Sequence, residues 1–332
     1  MDTKNRQWLL ASRPRGAVEE SNFRLVETPV PALQDGQLLV RVHYLSLDPY
    51  MRGRMDEAKS YAAAQAIGDV MVGGTVGEVV ESRNARFARG DLVVGMGGWQ
   101  ELHVSDGKGL TKVSRALPES LYLGAVGMPG VTAWYGLLEI ARPKAGETVV
   151  VSAASGAVGS VVGQLAKLRG CRAVGIAGGP AKCEHVVRDL GFDACVDYKA
   201  EGFREALEAA TPSGIDVVFE NVGGRILDAS LRRMNAFGRV ALCGLIAGYD
   251  GQDISLKNVR SILVNRLLVQ GFIVSDHLEK WPEATKELFA LVADGKLRYR
   301  ETVAQGLESA PRAFIGLLRG ENVGKQLVKV AT

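Results

Sequence analysis

Apolar and polar positions along this chain follow two rhythms. Ahead of residue 118, short β-branched or alternating runs recur at 37–43, 74–81 and 91–95, each bounded by Gly, Asp, Asn or Arg. A period near two predicts half-buried strands, and their spacing predicts a compact, barrel-like β domain. Pro118 and the Met128-Pro129-Gly130 triplet then punctuate the chain. A helical pattern over 132–141 predicts a helix that is stopped by Pro143 and Gly146.

From residue 147 the rhythm changes. Apolar runs at 148–152, 172–177, 194–197, 215–221, 238–243 and 268–272 alternate with amphipathic stretches at 158–169, 181–190, 203–211, 226–234 and 256–263. Strand–helix alternation of this kind predicts an α/β fold with a doubly wound parallel sheet. A helix pair at 282–294 and 311–318 precedes a last apolar run at 326–330.

Composition narrows the class. The 332 residues suit about two domains. Apolar residues at 47% and charged residues at 23% are enough for a packed core and a solvated surface. Forty basic residues against 37 acidic ones leave a net charge of +3, with no clustered basic stripe for nucleic acid or a membrane surface. The four cysteines (171, 183, 195, 243) form no CxxC pair, and the four histidines (43, 103, 185, 277) lie far apart, so a structural zinc site is not expected. The first residues lack the apolar run of about 7–15 residues that a secretory signal needs. Residues 148–166 are uncharged, but their glycines and serines read as strand–turn–helix rather than a membrane span. These features predict a soluble, cytoplasmic protein.

The strongest local signal is VVVSAASGAVGSVVGQLAK at 149–167. A buried strand enters Ala154-x-Gly156-x-x-Gly159 and leaves as a helix. Gly156, Ala157 and Val158 would bring backbone close to a pyrophosphate, and Gly159 would let the helix pack on the strand. An NAD enzyme places Asp or Glu about 20 residues further on, against the ribose 2′-OH. Here that stretch reads Gly178-Gly179-Pro180-Ala181-Lys182. Two like charges about 4 Å apart interact by roughly 4 kcal/mol at an effective dielectric near 20, so a carboxylate there would reject a 2′-phosphate, whereas Lys182 would attract one. The predicted cofactor is therefore NADPH/NADP+. Residues 1–170 hold no cysteine and two histidines, so metal-assisted hydride chemistry is not expected; tyrosines or the cofactor's own hydroxyls must polarise a carbonyl.

The strings LSLDPYMRGRM (45–55), MVGGTVGEVVES (71–82), MPGVTAWYGLLE (128–139), FENVGG (219–224) and ENVGKQLVKV (321–330), around the glycine turn, resemble one family. It is the zinc-independent medium-chain dehydrogenase/reductases, in the leukotriene dehydrogenase and prostaglandin reductase group that includes 2-alkenal and curcumin reductases. Where zinc alcohol dehydrogenases carry Gly-His-Glu, this chain has Val72-Gly73-Gly74. The resemblance spans essentially the whole chain. It implies a GroES-like β-barrel catalytic domain over 1–127 with 300–332, a Rossmann NADP-binding domain over 128–299, and a homodimer in which the 267–272 edge is a plausible contact.

The resemblance also implies roles. Lys182 and Tyr198 (in VDYK) would hold the 2′-phosphate. Asn221 would lie along the nicotinamide, Cys243 to Tyr249 near its ribose, Phe272 to Val274 beside them, and Asn322 would reach the cofactor from the C-terminal segment. Tyr50 and Tyr249 would flank the substrate carbonyl, although Ala247-Gly248 replaces the Ser-Gln usual before the second tyrosine. Trp99 and Trp134 read as packing residues, and Cys243 as a buried strand residue without nucleophilic chemistry.

The expected activity is reduction of the carbon–carbon double bond of an α,β-unsaturated ketone or aldehyde. Hydride goes to the β carbon, and the enolate is stabilised by Tyr249 and the cofactor ribose. Protonation by a tyrosine or water completes the reaction. An NADPH quinone reductase and a non-catalytic NADPH-binding protein are the alternatives.

Overall fold

The computed structural model describes residues 4–330, which divide into two units. One runs to Leu123 and resumes at Glu301; the other is Gly124–Arg300.

The first unit opens with β1 (Lys4–Leu10) and β2 (Phe23–Pro29), an antiparallel pair of their own. The strand pattern in the sequence does not reveal β1, whose inward residues include a polar one. Asn5 is buried and satisfied, donating to Gln100 Oε1 at 3.0 Å and accepting from the Leu102 N–H at 2.9 Å. Then come β3 (Leu38–Ser46), the short helix α1 (Tyr50–Arg54), β4 (Thr75–Ser82), β5 (Leu92–Gly95), β6 (Leu102–Ser105) and β7 (Thr111–Lys112). The core beneath them gathers Leu10, Leu45, Met51, Met55, Met71 and Phe314 around Trp99, which is fully buried and stacks on Phe23 at 5.3 Å.

The second unit begins with α2 (Met128–Tyr135), which passes into a π-helical turn at Gly136–Ala141. The helix therefore starts four residues earlier than the pattern predicts and does not run on regularly. It ends just before Pro143, as predicted, and Arg239 caps that end: its guanidinium takes the carbonyls of Ala141 (2.9 Å) and Arg142 (3.0 Å), acceptors left without a helical partner.

The strands β8 (Thr148–Ser152), β9 (Arg172–Ala177), β10 (Ala194–Asp197), β11 (Ile215–Glu220), β12 (Met234–Leu242) and β13 (Leu268–Gly271) form one parallel sheet in the order β10-β9-β8-β11-β12-β13. The predicted doubly wound parallel sheet is what the chain builds. Its intervening helices are α3 (Gly159–Leu168), α4 (Pro180–Arg188), α5 (Phe203–Ala210), α6 (Gly224–Arg233) and α7 (Arg260–Val264), with α8 (Trp281–Ala293) after β13. α7 is shorter than the amphipathic stretch at 256–263 suggests. Buried Asp228, on α6, accepts the N–H groups of Lys257 (2.6 Å) and Asn258 (2.7 Å), and so keeps those residues out of the helix.

The chain closes in the first unit with β14 (Glu301–Gln305), α9 (Ala310–Leu318) and β15 (Lys325–Lys329). β15 lies between β14 and β3 in a seven-stranded sheet, parallel to β14 and antiparallel to β3.

Candidate active site

Strand order in the parallel sheet reverses between β8 and β11. Loops leaving the carboxyl ends of such strands diverge to opposite faces and open a crevice, the usual nucleotide site of this architecture. Each loop there can be followed residue by residue.

After β8 the chain bends at Ala153, which holds the left-handed conformation (φ +49), and Gly156 N–H donates to the Ala153 carbonyl at 2.9 Å. Gly156, Ala157 and Val158 are half-exposed on the bend that leads into α3. Gly159 is required by contact: a Cβ there would stand 2.4 Å from the Ala153 carbonyl oxygen and 2.9 Å from Ala154 Cα, so a side chain would push the helix off the strand.

At the end of β9 the structure brings Gly178, Lys182, Tyr198 and Lys199 together. A Cβ on Gly178 would lie 2.9 Å from the Tyr198 ring and 3.1 Å from Lys199 Cε. Asp197 Oδ1 accepts the N–H groups of Gly179 (2.8 Å) and Lys199 (2.9 Å), tying the two strand ends to each other. Arg225 stacks over the Tyr198 ring at 5.6 Å and donates to the Tyr198 carbonyl at 2.5 Å. Lys182 is half-buried rather than a solvated surface lysine, and burial, followed by the neighbouring Lys199 charge, holds its ammonium below the ordinary lysine range. Lys199 and Arg225 are missed by the sequence reading, although VDYK carries the lysine next to the tyrosine.

Across the switch point, Asn221 is locked to β8. Its N–H donates to Ser152 Oγ at 2.7 Å and its Nδ2 to the Ser152 carbonyl at 2.8 Å. Beneath it Glu220 is fully buried, accepting from Ser152 Oγ (2.8 Å) and from the N–H groups of Val222 (2.6 Å) and Gly223 (2.7 Å). Burial raises its carboxyl above the usual range despite those donors. In FENVGG the resemblance points to the asparagine, and nothing in the sequence marks the preceding glutamate as buried. Cys243 N–H donates to the Glu220 carbonyl at 2.9 Å, and burial, then Glu220, pushes its thiol up to about 12. Such a thiol supplies no thiolate near neutral pH.

The loop after β12 folds back on this strand end: Ile246 N–H reaches the Asn221 carbonyl (3.2 Å) and Ala247 N–H the Val222 carbonyl (3.0 Å). Tyr249 follows, half-exposed, with its N–H on the Ile246 carbonyl. Phe272 and Val274 are buried, Phe272 against Phe219 at 6.2 Å and Tyr135 at 5.7 Å, so their side chains serve the core. Trp134 is also a core residue, its Nε1 donating to Glu287 at 2.7 Å.

Two predicted site residues belong to the first unit. Tyr50 is the first residue of α1, packed against the Met51, Met55 and Trp99 core, with its phenol raised above the ordinary range by burial and then by Asp48. Asn322 lies ahead of β15 and donates to the Gly324 carbonyl at 2.8 Å. Among the described residues no three His, Cys, Asp or Glu side chains converge as a metal site, and no helix is long and apolar enough to cross a membrane.

Comparison with known proteins agrees along the whole chain. Residues 6–113 match the family described as the N-terminal domain of oxidoreductase, and residues 157–290 the one described as zinc-binding dehydrogenase. The NADPH-dependent curcumin reductase of Escherichia coli is 48% identical over 336 residues, spanning 99% of this chain and 97% of that one. This chain belongs to the zinc-independent medium-chain dehydrogenase/reductases, in the curcumin, prostaglandin and 2-alkenal reductase group. Another member, the NADP-dependent 2-alkenal reductase of Nicotiana tabacum, is 41% identical over 339 residues, 99% of this chain and 98% of that one. The crystal structure of CurA from Vibrio vulnificus in complex with NADPH superposes with a TM-score of 0.94 at 47% identity, over 98% of this chain and 99% of that one. The sequence resemblance and the two-domain α/β fold it implies therefore stand.

Proposed function

We propose that this chain is an NADPH-dependent reductase of the carbon–carbon double bond of α,β-unsaturated ketones and aldehydes. The names of its relatives support the reaction class. The observation that carries the cofactor assignment is the strand end that gathers Gly178, Lys182, Tyr198 and Lys199, with no acid in the 178–182 stretch and the one nearby carboxylate, Asp197, turned to backbone N–H groups.

The residues present fit a phosphorylated nicotinamide nucleotide. Burial and the Lys199 charge disfavour the Lys182 ammonium, and a phosphate dianion beside the two lysines would favour the charged form of each. Lys182, Lys199 and the Tyr198 hydroxyl would take the 2′-phosphate, and Arg225 braces the tyrosine ring. The turn at Gly156, Ala157, Val158 and Gly159 would receive the pyrophosphate. Asn221, Cys243 and the backbone of Phe272 and Val274 would border the nicotinamide end, with Asn322 added from the C-terminal segment. NADPH supplies the hydride.

The protein's own part is electrostatic. As the β carbon of the substrate is reduced, charge accumulates on the carbonyl oxygen, and the Tyr249 hydroxyl donates to it. Tyr50 flanks the carbonyl, with the cofactor's ribose hydroxyl as the second donor, and a proton from a tyrosine or water would complete the reaction at the α carbon. A fixed donor aimed at a developing oxyanion is worth about 10²–10³ in rate. Tyr249→Phe should therefore lower kcat on enones by about that factor while the NADPH dissociation constant changes little. A wild-type rate for this variant would remove the tyrosine from the mechanism. A panel of enones, enals and quinones followed by NADPH absorbance separates this activity from quinone reduction and from a protein that binds NADPH without turnover.

The same reading includes a homodimer. β13 is the edge of the parallel sheet, and all four of its residues are exposed, Leu268 by 53% and Val269 by 40%. A second copy pairing along that edge would cover a strand otherwise open to aggregation.

A further inference from the structure

The strings LSLDPYMRGRM and ENVGKQLVKV each carry an ionisable residue that takes no part in the proposed chemistry, Asp48 in the first and Lys325 in the second. In the fold the two meet. Lys325 Nζ donates to Asp48 Oδ1 at 2.7 Å and to the Leu47 carbonyl at 2.6 Å, and the two side chains are only 4% and 7% exposed. Ser46 Oγ donates to the other oxygen, Asp48 Oδ2, in a short contact. Along the backbone, Leu47 N–H reaches the Gln326 carbonyl at 3.2 Å, and Met51 N–H the Asp48 carbonyl at 3.1 Å. The 46–49 segment is thus held to β15 by an ammonium, a carboxylate and a main-chain bond, immediately before α1 begins at Tyr50.

Stability alone is a weak reason for this arrangement. A buried ion pair carries two desolvation penalties, and apolar residues of the same volume often stabilise a fold as well or better. Burial lowers the Lys325 ammonium, while Asp48 and, more distantly, Glu301 pull it back up. What the pair has and an apolar contact lacks is direction. One ammonium bonded to a side-chain oxygen and a neighbouring carbonyl fixes the path of residues 47 and 48, and so the starting angle of a helix only five residues long. A helix that short has little cooperativity with which to set its own orientation. Asp48 also acts on the Tyr50 phenol through its charge, favouring the protonated hydroxyl that can donate a hydrogen bond.

We propose that Asp48 and Lys325 are positioning residues for Tyr50, orienting its hydroxyl toward the substrate oxygen from behind. This rests on the reading of Tyr50 as a substrate-contacting residue. The test compares Tyr50→Phe, the apolar double variant Asp48→Leu/Lys325→Met, the mild variant Ser46→Ala, and each of the last two combined with Tyr50→Phe. Each is assayed with benzylideneacetone as substrate, by NADPH titration and by thermal melting of the full chain.

The double variant should melt near the wild-type temperature and bind NADPH normally, yet lose about tenfold or more in kcat, as a misplaced reacting group does. Adding Tyr50→Phe to it should cost almost nothing further, because residues acting as one unit are not additive. Ser46→Ala should show the same pattern at a few-fold, and it decides the matter if the double variant does not fold. Wild-type kcat in the folded variants, or a full Tyr50→Phe loss multiplied on top of theirs, overturns the positioning role while leaving Tyr50 in place. A wild-type rate for Tyr50→Phe itself overturns the assignment of Tyr50, and with it this inference.

Discussion

Lys182 and Lys199 show how one residue's neighbourhood sets its chemistry. The sequence presents Lys182 as a cation where an acid is missing; the fold adds burial and a second ammonium, both of which favour losing its proton. Protonated Lys182 is the form that holds a 2′-phosphate, so NADPH affinity should fall as pH rises. The fall should begin below the range in which an ordinary lysine, near pH 10.4, titrates. Binding of NADH should stay flat over the same interval, and titrations of both cofactors from about pH 7 to 10 check this. Lys182→Ala should weaken NADPH by about 10–100-fold, the worth of one charge-assisted hydrogen bond, with little effect on NADH. Equal losses for both cofactors would contradict the assignment. This neighbourhood could not be read in advance, because Lys199 comes to Lys182, and Arg225 to the Tyr198 ring, from other βα units.

At the scale of elements, the turn between β8 and α3 is the best test of pattern against structure. The glycine spacing predicts a strand, a bend and a helix, and the chain forms them at Thr148–Ser152 and Gly159–Leu168. Gly159→Ala places a methyl against backbone atoms that cannot rotate away. Overpacking of this kind costs about 1–3 kcal/mol, so the melting temperature should drop by several degrees and NADPH affinity should fall with the displaced turn. Unchanged melting and affinity would show that the helix does not depend on that contact. The elements that periodicity misses share a cause. β1 buries Asn5 and is satisfied by Gln100 and Leu102, nearly a hundred residues away, and residues 257–258 are caught by Asp228 of α6. In both places a polar side chain does what the hydrophobic pattern cannot announce.

For the whole molecule, the exposed β13 edge bears on assembly. If two copies pair there, Leu268→Lys puts a desolvated charge into the joint on both sides of a two-fold axis. Light scattering coupled to size exclusion should then report a dimer for the wild type and a monomer for the variant, with NADPH affinity retained. A monomeric wild type would refute the dimer, and an intact dimer in the variant would move the interface away from β13. The resemblance already implies an edge at 267–272, and the strand order places β13 last in the sheet.

Local chemistry was enough to determine a good deal of this protein. The alternation of strand and helix, the bend at Gly156 and Gly159, and the missing acid ahead of Lys182 are properties of neighbouring residues, legible because periodicity and short-range sterics act within about twenty positions. Other features required the chain to close on itself. The cation pair beside Tyr198, the buried Glu220 under Asn221, and the Asp48–Lys325 tie all join residues distant in sequence. Burial changes the energy of a charge only when a tertiary neighbour removes water from it, and no residue carries that information alone.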